Sequence, residues 1–236
     1  MSNTWFQFKQ FLITQENSAL KVGTVGVLLG SWCGVTGTMR ILDVGTGTGV
    51  IALMLAQRSE AHISAVEINE DACLDARHNF QNSPWCERLA LYSGDFNNFQ
   101  ESHTLSFDLV VCNPPFFKKS MKSSDPASSI ARHDVSLTYE QLITGAKKLL
   151  TDHGRLAVIL PIEVLDDFRE TARLAGFYLS RKTTIIPKIG RPPKRVLLEF
   201  SVSATYPEAS ELVILLDPQT YSEKFIELTK EFYLGS

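Results

Sequence analysis

The sequence predicts an α/β fold: a doubly wound, mostly parallel sheet with helices on both faces, preceded by a short N-terminal segment. Three observations carry that expectation. From Arg40 onward, short apolar runs rich in β-branched residues alternate with stretches of helical periodicity. The first strand runs into the first helix through Asp43-Val44-Gly45-Thr46-Gly47-Thr48-Gly49, a glycine turn of the kind that opens a strand–helix–strand unit. The third is scale: 236 residues with 44% apolar and 21% charged side chains suit one large domain with a real core, and exclude a disordered or coiled-coil chain.

In order, strands are expected over 40–44, 62–67, 89–93, 107–112 and 155–160, then β-rich stretches over 177–186 and 195–203 and an apolar run over 211–216. Helices are expected over 49–58, 70–81, 138–150, near 163–175 and over 222–232. Phe116–Ser129, with its Lys, Ser and Asp residues and Pro126, reads as a loop. Residues 1–39 form a separate segment holding Trp5, Phe6, Phe8 and Phe11, either a cap near the cofactor site or a layer packed on the sheet; residues 40–236 form the main domain.

Composition narrows the function classes. No apolar run reaches the roughly 18 residues of a membrane span. Met1–Gln10 lacks a basic stretch followed by an apolar one, so no export signal and a cytoplasmic location are expected. Cys33, Cys73, Cys86 and Cys112 are scattered without a Cys-x-x-Cys pair, which fits small core thiols in a reducing compartment and no metal site. The net charge of −3 does not mark a nucleic-acid binder, yet Lys118, Lys119 and Lys122 cluster in the middle and Lys182, Lys188, Arg191, Lys194 and Arg195 cluster later.

The glycine turn is the first functional motif. Glycines let backbone approach a ligand closely, and the following helix N-terminus offers free N–H groups. The spacing is G-x-G-x-G, since Val50 stands where a dinucleotide fingerprint needs a third glycine. Glu67 ends the second strand about 20 residues on, where a carboxylate can accept from both hydroxyls of a ribose. Asp95 and Phe96 follow the third strand. Asp43, which opens the glycine turn, is expected beside the cofactor too; Asp95 could accept from an adenine amino group and Phe96 could stack on its ring, while a core role for Phe96 and a loop-stabilising role for Asp43 are alternatives. This series resembles the seven-stranded S-adenosylmethionine-dependent methyltransferases. The resemblance implies a Rossmann-like sheet of seven strands with a reversed last strand, Gly45, Gly47 and Gly49 against the methionine part of S-adenosyl-L-methionine, Glu67 on its ribose, and Asp95 with Phe96 on its adenine.

The second motif is Asn113-Pro114-Pro115-Phe116, directly after the fourth strand. The prolines hold Asn113 in an extended conformation, leaving its side-chain oxygen and the Pro114 carbonyl free as acceptors. Two acceptors suit an –NH₂ group, which has two protons to donate. Phe116 offers a face on which a flat ring can stack. Methyl transfer to such an amine is an in-line displacement that needs positioning more than a strong base. Asn113, Pro114 and Phe116 are therefore the expected catalytic residues, with Pro115 in the substrate site.

This tetrapeptide is shared by enzymes acting on adenine N6, cytosine N4, guanine N2 and protein glutamine, so other words must decide. Phe6-Gln7-Phe8-Lys9-Gln10-Phe11, Lys21-Val22-Gly23-Thr24, Leu28-Leu29-Gly30, Ala56-Gln57-Arg58, Ser83-Pro84-Trp85, Ala131-Arg132-His133 and Phe232-Tyr233-Leu234 together resemble the bacterial tRNA1(Val) (adenine-37-N6)-methyltransferases over nearly the whole chain. That resemblance implies a tRNA partner, adenine 37 of tRNA1(Val) as target, and Lys21 and Thr24 near the cofactor. By position, Lys118, Lys119, Arg191 and Arg195 become candidate RNA contacts. Two positions depart from the family pattern: Val25 replaces an Asp, and Asn69 stands where an Asp is common. The alternatives are a methyltransferase for an rRNA guanine N2 or adenine N6 or for protein glutamine, a nicotinamide-dependent oxidoreductase, and a non-catalytic RNA-binding module. A glutamine methyltransferase would carry a sizeable N-terminal helical domain, the glycine spacing argues against the oxidoreductase, and intact Asn113 argues against the module.

Overall fold

The computed structural model describes residues 3–114 and 137–234. Its elements are β1 (Trp5–Gln7), β2 (Leu12–Thr14), α1 (Thr24–Trp32), β3 (Arg40–Val44), α2 (Val50–Arg58), β4 (His62–Glu67), α3 (Glu70–Gln81), β5 (Leu89–Ser93), α4 (Phe96–Ser102) and β6 (Phe107–Cys112). Then follow α5 (Tyr139–Leu149), β7 (Leu150–Pro161), α6 (Leu165–Leu174), β8 (Tyr178–Lys188), β9 (Arg195–Ser201), β10 (Glu208–Leu215) and α7 (Glu223–Thr229).

The main sheet has the order β10-β8-β9-β7-β6-β3-β4-β5. Only β9 is reversed: it pairs antiparallel with both β7 and β8, while the other pairings are parallel. The expected mostly parallel sheet with one reversed strand is therefore present, and β10, the apolar run near the C-terminus, adds an eighth strand at the edge beside β8. From β3 the chain builds outward to β4 and β5, then returns to lay β6 on the other side of β3. That reversal opens a crevice at the carboxyl ends of β3 and β6, where open α/β sheets bind ligands.

Alternate residues of the central strands feed opposite faces, as the period of two requires. Ile41, Ile63, Leu109, Val111, Ala157 and Ile159 join a core with α1, α2, α7 and Phe80 of α3. Leu42, Val44, Val66, Val110, Leu156 and Val158 join a second core with α4, α5 and α6.

Two helices go beyond the sequence expectation. α1 contains Gly26 and Gly30, which lower helix propensity. Close packing overrides that cost: a Cβ on Gly30 would lie 2.8 Å from Met54 Sδ of α2. α4 is a short, Asn-rich turn nucleated by Asp95, whose side chain accepts from Asn97 N at 2.6 Å. The aromatic N-terminal segment forms the β1–β2 hairpin. Its Phe8 stacks on Phe11 and Tyr233, and Lys9 N donates to Phe232 O, so these rings pack with the C-terminal end of the chain. Cys33, Cys73 and Cys112 are buried free thiols as expected of core residues, whereas Cys86 is exposed. Among the described residues no helix is long and apolar enough to cross a membrane.

Candidate active site

A cavity of about 360 Å³ opens at the carboxyl ends of β3, β4, β5 and β6. Register explains its composition. Val44 of β3 pairs directly with Cys112 of β6, and Val44 with Val66 of β4, so Gly45, Asn113 and Glu67 leave neighbouring strands at one level. All three line the cavity, with Gly47, Gly94, Asp95 and Phe96.

The glycine loop is held from behind. Gly45 N and Thr46 N both donate to Val66 O, at 2.8 and 3.2 Å. Gly45 and Gly47 have φ of 70° and 57°, the left-handed region that favours glycine. A Cβ added to either would meet nothing within 4 Å, so this stretch of backbone borders open space into which a ligand can press. Gly49, also expected against the ligand, precedes α2, lies against the Phe80 ring and is not part of the cavity wall.

Asp43 is fully buried beneath the loop rather than on the wall. Its Oδ2 accepts from Thr46 Oγ1 at 2.6 Å, and its Oδ1 has no hydrogen-bond partner among the described residues. Burial pushes the carboxyl up to about 7; the Thr46 hydroxyl and the Ala52 amide oppose the shift, and the Glu67 carboxylate adds to it. Its observed contact is the loop-stabilising one.

Glu67 is buried at the end of β4. Oε2 accepts from Gly47 N at 2.8 Å and Oε1 from Asn69 N at 2.9 Å. Each oxygen keeps acceptor capacity toward the cavity, and two amides fix the carboxylate's orientation. Asn69 caps α3 by accepting from Ala72 N at 2.8 Å. Asp95 caps α4 while lining the cavity. Phe96 does both things that the sequence leaves open: it is buried in the second core, pressed on Gly145 of α5, and also forms cavity wall. The carboxylate acceptors and the open glycine cradle fit a nucleoside-bearing cofactor with a ribose diol.

Asn113 is half-buried on the cavity wall, and its side chain makes no hydrogen bond among the described residues. Pro114 behind it is buried. Pro115, Phe116, Lys118, Lys119, Lys122 and the Arg132-His133 pair lie outside the described residues.

Four expected contacts stand off the cavity wall. Lys21 Nζ donates to the carbonyl oxygen of Gln15. Thr24 is the first residue of α1. Arg191 and Arg195 sit in the β8–β9 turn and at the start of β9. Arg195 pairs with Pro161 at the end of β7, which places both arginines at the carboxyl edge, the same edge as Asn113. The wall also contains residues that sequence reasoning missed: Ser18, Ala19 and Leu20 from the N-terminal segment, Ile68, and Leu137. Ile68 follows Glu67 and was available by adjacency; nothing periodic marks Ser18–Leu20. Among the described residues no group of three or more His, Cys, Asp or Glu is placed to hold a metal ion.

Residues 28–164 match the methyltransferase small domain family. The chain is 42% identical over 235 residues to a tRNA1(Val) (adenine(37)-N6)-methyltransferase of Bacteroides fragilis, covering 99% of each. It is 39% identical over 231 residues to the protein of that name from Klebsiella pneumoniae, covering 97% of this chain and 94% of the other. A crystal structure described as that of a predicted O-methyltransferase from Agrobacterium tumefaciens superposes with a TM-score of 0.69 over 88% of this chain and 96% of its own, at 18% identity, and so shares the fold.

Proposed function

The chain belongs to the methyltransferase small domain family, with tRNA1(Val) (adenine(37)-N6)-methyltransferases as full-length relatives, and we propose that it methylates N6 of adenine 37 in tRNA1(Val) using S-adenosylmethionine. One observation carries the reading: the Val44–Cys112 pairing sets the glycine loop and Asn113 side by side on one cavity that also holds Glu67.

Within that cavity the residues divide the work. Gly45 and Gly47 let the backbone approach the methionine end of the cofactor, and Gly49 starts the helix behind them. Asp43 keeps the loop in shape through Thr46. Glu67, oriented by Gly47 N and Asn69 N, accepts from the ribose hydroxyls. Asp95 and Phe96 take the adenine end. When bound, S-adenosylmethionine supplies an electrophilic methyl carbon on a sulfonium. Asn113 Oδ1 and the Pro114 carbonyl accept the two protons of the target amine, turning its lone pair out of conjugation with the ring and toward that carbon. No strong base is required, because the methylated, cationic amine is acidic and gives its proton to water. Pro115 and Phe116 follow in sequence, with Phe116 supplying a stacking face for the target base.

The RNA side is read from charge and place. Arg191 and Arg195, with Lys188 and Lys194, stand at the sheet edge that carries Asn113, within reach of a backbone whose base enters the cavity. Lys118 and Lys119 follow the catalytic turn directly in sequence. Residues 1–39 act as a lining segment of the cofactor site on the domain formed by 40–236, and the tRNA substrate implies a cytoplasmic enzyme.

The test is mass spectrometry of nucleosides from tRNA treated with the protein and isotopically labelled S-adenosylmethionine. Label in N6-methyladenosine, located at position 37 of a valine tRNA, is expected. Label in another base, or none, would overturn the reading.

A further inference from the structure

The N-terminal segment reaches the cavity as a strap over 15–22, and its attachment is unusual for a packing contact. Asp75, in the middle of α3, is almost wholly buried, at 1% exposure. A lone buried carboxylate is costly unless its oxygens are satisfied. Here the strap supplies the donors. Asn17 N donates to Oδ2 at 3.1 Å and less closely to Oδ1 at 3.3 Å. Asn17 Nδ2 donates to Oδ1 at 2.8 Å, and Ser18 N donates to Oδ2 at 2.7 Å.

One helical turn later, Asn79 grips the strap's root and the glycine loop together. Its Nδ2 donates to Thr14 O and to Thr48 O at 2.8 and 2.9 Å, and its Oδ1 accepts from Thr14 N at 2.8 Å. The strap is also closed on itself: Gln15 Oε1 accepts from Val22 N at 2.7 Å, and Lys21 Nζ donates to Gln15 O. Apolar packing would hold a segment more cheaply. A carboxylate fed by two consecutive main-chain amides instead specifies the conformation of Asn17 and Ser18, and through them the place of the next two residues.

Those residues are on the cavity wall. Leu20 lines it while remaining 77% exposed, and Ile68, 51% exposed, lines it too. Two large apolar side chains left to water at the rim of a ligand cavity gain apolar burial only when something fills it.

We propose that Asp75 is a positioning residue of the cofactor site, pinning the Asn17–Leu20 strap to α3 so that Leu20 closes over the bound cofactor. The proposal rests on the cofactor reading given above. It predicts a division of labour: the strap acts on cofactor retention, and not on the amine held by Asn113.

The test is calorimetric binding of S-adenosylhomocysteine to the full chain, for wild type, Asp75→Asn and Leu20→Ala, with steady-state kinetics and amide hydrogen exchange. Asp75→Asn turns an –NH₂ toward donors that need acceptors, and should weaken binding by about 10-fold. Leu20→Ala, a change at an exposed side chain that folding hardly feels, should weaken it by about 3- to 10-fold. In both variants KM for S-adenosylmethionine should rise while kcat at saturating cofactor stays within about twofold. The Asn17 and Ser18 amides should exchange faster in Asp75→Asn without ligand. Wild-type affinity in both variants would overturn the proposal. If Asp75→Asn does not fold, Leu20→Ala decides alone: unchanged affinity overturns the strap's role, and a raised Kd with unchanged kcat supports it. Failure of the wild type itself to bind S-adenosylhomocysteine would overturn the cofactor reading, and the strap proposal with it.

Discussion

Replacing Asn113 with alanine should slow methyl transfer by roughly 5- to 150-fold while leaving fold and cofactor affinity near wild type. The magnitude follows from where the side chain stands. It is half-buried at the end of β6 and makes no hydrogen bond among the described residues, so its loss strands no internal donor there. The stability cost is therefore about 0.5 kcal/mol or less, as for most substitutions outside the core. Catalysis is different. With the carboxamide oxygen gone, one proton of the target amine would be left without its acceptor. Such a loss typically costs about 1–3 kcal/mol, and each 1.36 kcal/mol is a tenfold change in rate. The Asn113→Asp substitution would keep an acceptor and add negative charge beside an amine turning positive. That benefit is offset by repulsion from carboxylates such as Glu67 and by the cost of a buried charge. The expected order is wild type, then Asn113→Asp, then Asn113→Ala, measured by single-turnover methylation of a valine tRNA at saturating cofactor. An alanine variant as fast as wild type would remove Asn113 from the mechanism, and loss of S-adenosylhomocysteine binding in that variant would show the residue to belong to the cofactor site instead.

Three further outcomes are expected. Glu67→Gln should weaken S-adenosylhomocysteine by about 10- to 100-fold, because an –NH₂ replaces one of two anionic acceptors that now face Gly47 N and Asn69 N; calorimetry showing equal affinity would refute the ribose assignment. Asp43 binds its proton more tightly folded, at about 7, than its ordinary value of 3.8, so its contribution to stability is full below about pH 4 and is lost as pH rises to about 7. Urea denaturation should show wild type losing stability relative to Asp43→Asn across that window, and parallel profiles would count against a buried, proton-holding Asp43. Arg191→Ala combined with Lys194→Ala should weaken tRNA binding and flatten its log–log salt dependence by about 0.7 to 0.9 per lost phosphate contact, with cofactor affinity unchanged; an unaltered slope would take this turn out of the RNA interface.

The parts of the fold legible in the sequence are those whose physics is local. β4, α3, β5 and β6 begin and end where periodicity places them, because each is an apolar run or an amphipathic period bounded by its own cap or turn. Gly45, Gly47, Glu67 and Asn113 are legible as a site because each ends or follows a strand, and parallel strands deliver their ends to one edge. α1 is hidden by Gly26 and Gly30, whose value lies in contact with a helix distant in sequence, as Gly30 shows against Met54. The strap is hidden for a stronger reason. Asn17 and Asp75 are 58 residues apart, and a polar grip on main-chain amides has no period and no composition. Resemblance carries Lys21 and Thr24 to the cofactor, yet the wall there is built by Ser18, Ala19 and Leu20, while Lys21 closes the strap on Gln15.

The two departures from the family pattern show what kind of property a motif letter stands for. Asn69 occupies a position where an Asp is common, and its work in the structure needs an acceptor, not a charge. Its Oδ1 accepts from Ala72 N at 2.8 Å at the start of α3, and its main-chain N–H holds Glu67 Oε1 at 2.9 Å. Asn and Asp are nearly equal as helix N-caps, and the main-chain N–H is indifferent to the side chain, so either residue keeps Glu67 in place. Val25 likewise carries no duty at the cavity: it lies in the first turn of α1 and packs, partly buried, against the core shared by α1 and α2. Glu67 contrasts with both, because two amides converge on its carboxylate and a ribose diol would add two more donors. A neutral residue cannot accept that many, which is why substitution is harmless at Asn69 and costly two residues earlier.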